Sequence, residues 1–118
     1  MQLHVRAFTA AAALLLGLVI GLAQRARADE GEGPPVIRLH EGHFDPSELV
    51  VPANSAFRVR VVNEESTAIE FESFELNRER VVQPGGEAIV YLPALRPGSY
   101  PFFDDFHRDT PKGQITAK

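Results

Sequence analysis

The sequence predicts an all-β domain, a Greek-key β-sandwich of about seven strands. Three observations predict it. Apolar and charged residues alternate in short runs, most clearly in Phe57-Arg-Val-Arg-Val61, which is the period of a half-buried strand. Turn-forming residues punctuate the runs at Pro52-Ala-Asn-Ser55, Gln83-Pro-Gly-Gly86 and Arg96-Pro-Gly98. No 3.6-residue apolar period lasts beyond a turn or two.

Taken from the N-terminus, residues 1–28 read as an export signal. Arg6 supplies positive charge, Phe8–Ala23 is an almost unbroken apolar run of 16 residues, and Ala26-Arg27-Ala28 fits the small-x-small cleavage pattern. An uncleaved anchor is the alternative, but the run is shorter than the ~20 residues a spanning helix needs. Residues 29–35, Asp-Glu-Gly-Glu-Gly-Pro-Pro, read as a flexible tail, and one domain fills 36–118. Strands are expected at Val36–His40, Glu48–Val51, Phe57–Asn63, Ala68–Phe74, Ala88–Leu92, Ser99–Phe103 and Gln114–Ala117, with one irregular turn in Ser73–Glu79. Leu95-Arg-Pro-Gly-Ser-Tyr100 fits a tyrosine corner, whose hydroxyl ties back to nearby backbone.

Composition narrows the function classes. The sequence carries 12 Lys and Arg against 16 Asp and Glu. Removing Arg6, Arg25 and Arg27 with the signal leaves 9 basic residues against 16 acidic, a formal −7. Such a domain is poorly suited to nucleic acid or an anionic membrane and well suited to cations or basic partners. There is no cysteine, and the single methionine is Met1. Disulfides, thiolate metal sites and thiol nucleophiles are thereby excluded. No G-x-S-x-G, H-E-x-x-H or glycine-rich phosphate loop is present.

Several segments together resemble the cupredoxin fold from Val36 to Lys118: Phe44-Asp-Pro-Ser-Glu-Leu-Val-Val-Pro52, Phe57–Asn63, and Pro97-Gly-Ser-Tyr-Pro-Phe-Phe-Asp-Asp-Phe-His107 followed by Gly113-Gln-Ile115. Glu70-Phe-Glu-Ser73, Leu76-Asn-Arg-Glu79 and Phe102-Phe-Asp-Asp-Phe-His107 resemble the EfeO-type cupredoxin-like group. More narrowly, they resemble its small periplasmic members, which accompany bacterial ferrous-iron uptake systems. That resemblance implies a periplasmic location. It also implies two partners, a periplasmic iron/copper-binding protein and an inner-membrane iron permease. A blue-copper site takes two His, one Cys and a weak axial ligand. Against that pattern Asp104 stands in the place of the Cys, Ile69 in that of the first His, and the axial Met is replaced near Pro111–Lys112. Only His107 remains, so no type 1 copper centre is expected.

A metal ion here must then be held by carboxylates and one imidazole. Such ligands favour iron, Mn(II) or Cu(II) over Cu(I), so the expected ion is iron or copper. The expected ligands are Asp104, His107 and Glu72, with Glu70 and Asp105 in reserve. Glu70 and Glu72 share a strand face. If Ile69 and Phe71 point inward, both glutamates point outward, and a solvated strand face explains them equally well. Arg78-Glu79-Arg80 is expected to pair with Glu72 or Glu75. Phe71, Phe102, Phe103 and Phe106 read as core, with an exposed Phe103 or Phe106 offering a docking patch beside His107.

The expected function is a periplasmic accessory protein of iron uptake that assists ferrous-iron oxidation or handover. Whether it is an enzyme stays open. Two further classes also stay open: a metal-free interaction module, and a copper carrier using His40, His43 and His107.

Overall fold

The computed structural model describes residues 25–27 and 33–118. The expected signal 1–28 lies outside the described residues except for Arg25–Arg27, as do residues 29–32 of the expected tail. Ten strands are formed among the described residues: β1 (Arg25–Arg27), β2 (Val36–His40), β3 (His43–Asp45), β4 (Glu48–Val51), β5 (Phe57–Asn63), β6 (Ile69–Ser73), β7 (Arg78–Val82), β8 (Glu87–Leu92), β9 (Gly98–Asp104) and β10 (Gly113–Ala117). All seven expected strands are present to within a residue at each end. β1, β3 and β7 are additional.

The strands make a two-sheet sandwich. One sheet has the order β1-β4-β10-β9-β6-β7 and the other β3-β2-β5-β8. β4 pairs in parallel with both β1 and β10, and β2 with β5. The remaining pairings are antiparallel.

Alternation sends Ile37, Leu39, Val59, Val61 and Val90 from one sheet against Leu49, Phe71, Phe102 and Ile115 from the other, all essentially fully buried. Phe102 lies edge-on to Phe44 at 4.9 Å and tilted to Phe71 at 5.0 Å. Each such side chain stabilises the fold by about 1.5–3 kcal/mol. In β5, Arg58 and Arg60 alternate with buried Val59 and Val61, as their pattern predicts.

Three polar devices fix the loops. The Tyr100 hydroxyl donates to the Arg96 carbonyl at 2.7 Å, forming the expected tyrosine corner. Asn63, fully buried at the end of β5, donates from Nδ2 to the carbonyls of Thr67 (2.8 Å) and Val82 (3.1 Å). Its Oδ1 accepts from the Glu65 amide at 2.8 Å, so one side chain holds the whole loop from 63 to 67. Ser73 caps the turn after β6 by accepting from the Leu76 amide and donating to the Pro101 carbonyl.

Candidate metal centre

Asp104, which the sequence resemblance sets against the type 1 cysteine, ends β9. Its register partner is Phe71, which places its side chain on the inner face, where it is fully buried. A buried carboxylate needs hydrogen-bond donors around it; β6 supplies one and the loop after β9 two. Oδ1 accepts from the amides of Glu70 and Phe106, both at 3.0 Å. Oδ2 accepts from His107 Nδ1 at 2.7 Å. Donation from Nδ1 fixes the tautomer of the imidazole and leaves the Nε2 lone pair as its acceptor. Nε2 lies 3.3 Å from the Thr67 hydroxyl, and His107 lines an open cleft of about 220 Å³ together with Glu65, Asp109 and Thr110. Asp105, next in the chain, turns to Arg108 in an ion pair and is not part of this dyad.

Glu70 and Glu72 lie elsewhere. The β6–β9 register sets Glu72 beside Phe103, so both glutamates occupy the opposite face of the sheet from Asp104. The structure therefore unites Asp104 with His107 and separates both from Glu72 and Glu70. On the outer face the glutamates meet a third. β7 runs antiparallel to β6 with Glu79 directly opposite Glu72 and diagonal to Glu70, and the three carboxylates bring oxygens within 4.8 Å of one another. Like charges directly opposed on a sheet are destabilising. The flanking arginines do not offset this, since alternation turns them to the other face. Arg78 donates to the carbonyls of Tyr91 (2.8 Å) and Asn77 (2.9 Å), and Arg80 to that of Ile89 (3.3 Å). The expected pairing of this arginine pair with Glu72 or Glu75 is thus replaced by bonds to backbone, because β7 is a strand and strand period separates Arg78 and Arg80 from Glu79.

Glu70 is the buried member, 8% exposed, and none of the ion pairs among the described residues involves it. Burial in the first place, with the neighbouring Glu72 and Glu79, pushes its carboxyl up from 4.5 to about 7. A carboxyl so placed favours its protonated form over the ion. Glu79 escapes sequence reasoning because only the β6–β7 register reveals it. The signal for it is the turn at 74–77 followed by five residues that charge both faces of one strand.

Phe103 is nearly buried on this outer face. It contacts the exposed Phe74 at 5.2 Å, while Arg108 and Lys112 cover its ring at 5.5 and 5.6 Å. Phe106 beside His107 is half exposed.

The chain matches the cupredoxin-like domain over residues 10–117 and belongs to that family. It is 38% identical over 79 residues to RP394, an uncharacterized protein of Rickettsia prowazekii (strain Madrid E). That match covers 67% of this chain and 63% of the relative, so the chain spans a little under two thirds of the length of that relative. Among solved structures it is similar to the metal-binding domain of the Cu(I)-exporting P-type ATPase CopA of Streptococcus pneumoniae D39, determined with Cu(I). The TM-score is 0.70 at 13% identity, covering 83% of this chain and 99% of that one. It is also similar to dithionite-reduced auracyanin of Roseiflexus castenholzii, with a TM-score of 0.61 at 16% identity over 70% and 94% of the two chains. These likenesses establish the fold.

The residues present do not fit the type 1 copper of blue cupredoxins. There is no thiolate in the sequence. Ile69, which the resemblance sets against the first histidine, is a fully buried core residue. The Asp104 oxygens are engaged by two amides and His107.

Proposed function

We propose that this protein is an exported accessory factor of bacterial iron uptake that holds a metal ion on the Glu70–Glu72–Glu79 face and hands it on. The observation that carries the reading is the buried Glu70 carboxyl, set against two further carboxylates with no basic partner among the described residues. A cation there would cancel the repulsion between Glu72 and Glu79 and replace the proton on Glu70. All-oxygen ligands suit ferrous or ferric iron and Mn(II) and discriminate against Cu(I). Because carboxylates favour the more highly charged ion, the same site would lower the reduction potential of bound iron, so that ferrous iron would give its electron more readily to an external acceptor such as dioxygen.

The EfeO-type resemblance and the signal-like N-terminus support a periplasmic location, with a periplasmic iron/copper-binding protein and an inner-membrane iron permease as partners. The copper named for the CopA domain supports metal handling by this fold. Within this reading Asp104 has become a brace: it fixes the Glu70 amide, while the Asp105 amide donates to the Glu70 carbonyl at 2.9 Å.

The test is calorimetric titration of the purified protein with Fe(II) under anaerobic conditions and with Cu(II) in air. Stoichiometric Fe(II) binding is expected, weakened on the order of tenfold or more by Glu72→Gln and by Glu79→Gln and unaltered by His107→Ala. Binding lost only in His107→Ala would move the ion to the ligand loop. No binding of either ion would leave a metal-free interaction module.

A further inference from the structure

The hairpin joining β2 to β3 has a two-residue turn, Glu41-Gly42, with φ of 49° and 74° at the two positions. Positive φ at both central residues marks the type I′ turn, whose twist suits tight hairpins. Its consequence is the register. His40 stands directly opposite His43, with ring centroids 4.7 Å apart and planes inclined at 51°. Asp45, two residues beyond His43, shares their face, and its Oδ2 lies 3.5 Å from His40 Nε2. That separation is long for a hydrogen bond. It is close to the roughly 3.4 Å between two ligands that each sit about 2.1 Å from one tetrahedral ion.

His43 Nδ1 lies 3.3 Å from the Glu41 carbonyl. Donating there leaves Nε2 with its lone pair, the usual arrangement of a metal-ligating histidine. The hairpin is held from outside by the 63–65 loop. The Gly42 amide donates to Glu65 Oε1 at 2.8 Å, the Glu64 amide to the Leu39 carbonyl at 2.9 Å, and Arg38 to Glu64 Oε1 at 2.8 Å. The backbone therefore sets the two imidazoles side by side, while the ligand atoms of His40, His43 and Asp45 do not all lie within 4.8 Å of one another, so an ion would close the site by a side-chain rotation.

We infer that the β2–β3 hairpin is a separate metal site for a borderline divalent cation, Cu(II) or Zn(II), with His40 and His43 as nitrogen ligands and Asp45 as an oxygen ligand. Imidazole pairs suit these ions, whereas the outer-face carboxylates suit harder ones. The site lies on the other sheet and stands or falls independently of the carboxylate reading.

The test is Cu(II) and Zn(II) titration of the purified, chelator-stripped protein, with electron paramagnetic resonance of the Cu(II) form. Coupling to imidazole nitrogens is expected, together with an affinity for both ions that falls on the order of tenfold or more in His40→Ala and in His43→Ala. His107→Ala should leave both signals unchanged. His40→Gln and His43→Gln, which keep polarity and remove the imidazole, replace any alanine variant that fails to fold. Affinity unchanged in either histidine variant, or no binding of Cu(II) and Zn(II), would overturn the site.

Discussion

Asp104 Oδ1 lies 3.0 Å from the Glu70 amide nitrogen, so this buried aspartate holds the strand that carries the buried Glu70 carboxyl. Removing its side chain strands that buried amide, loosens Phe106 and frees His107. Each buried donor left unsatisfied costs about 1–3 kcal/mol. Asp104→Ala should therefore lower stability by about 2–4 kcal/mol, read from urea unfolding at pH 7. A loss below about 1 kcal/mol would mean that water or a shifted loop satisfies the amides.

Glu70 predicts a pH dependence. Its folded value is raised from 4.5 to about 7, so between these limits the folded protein binds more protons than the unfolded chain. The contribution of the protonated group is present in full below pH 4.5 and is lost as pH rises through about 7. Glu72 and Glu79 face the group from β6 and β7; from β9 comes Phe103, covered by Arg108 and Lys112. In metal-free protein with a chelator present, the difference in thermal midpoint between wild type and Glu70→Gln should drift against wild type from pH 4.5 to 7.5. A flat difference would show that Glu70 titrates normally.

The elements legible in the sequence are those whose pattern is local. β5 announces itself because Val59 and Val61 alternate with Arg58 and Arg60, and the period of two correctly places Glu70 and Glu72 on the face opposite Ile69 and Phe71. β7 is illegible for the same physical reason in reverse. Arg78 and Arg80 go to one face, Glu79 and Val81 to the other, so neither face reads as apolar. Its partner Glu72 is set by register across a turn, which no local pattern encodes. Asp104 is singled out in the sequence by the family resemblance and by its spacing to His107. Burial and the three donors that engage its oxygens depend on β6 packing alongside, and that is a property of the assembled sheet.

Ion and proton should compete at the carboxylate face. Glu70 holds its proton up to about 7, and a carboxylate must lose its proton before it can ligate. Fe(II) or Mn(II) binding at pH 6.5 should therefore release protons, detected as a binding enthalpy that changes with the ionisation enthalpy of the buffer. Affinity should rise between pH 6 and 8, and in Glu70→Gln the proton release should vanish. Buffer-independent enthalpies would place the ion away from Glu70.

Gly113 opens β10 directly opposite Phe102, and a Cβ built there would overlap the Phe102 ring. That ring cannot give way, because it is fully buried between Phe44 and Phe71. Overpacking of this kind costs typically about 1–3 kcal/mol, occasionally more. Gly98, at the other end of the same strand pair, provides the comparison: its nearest neighbour would be Tyr100 Cε2 at 3.7 Å, an ordinary contact. Gly113→Ala should therefore destabilise the fold by about 1–3 kcal/mol or more in urea unfolding, while Gly98→Ala stays within about 0.5 kcal/mol of wild type. Equal losses at both positions would mean that loss of glycine backbone freedom matters there and contact with Phe102 does not.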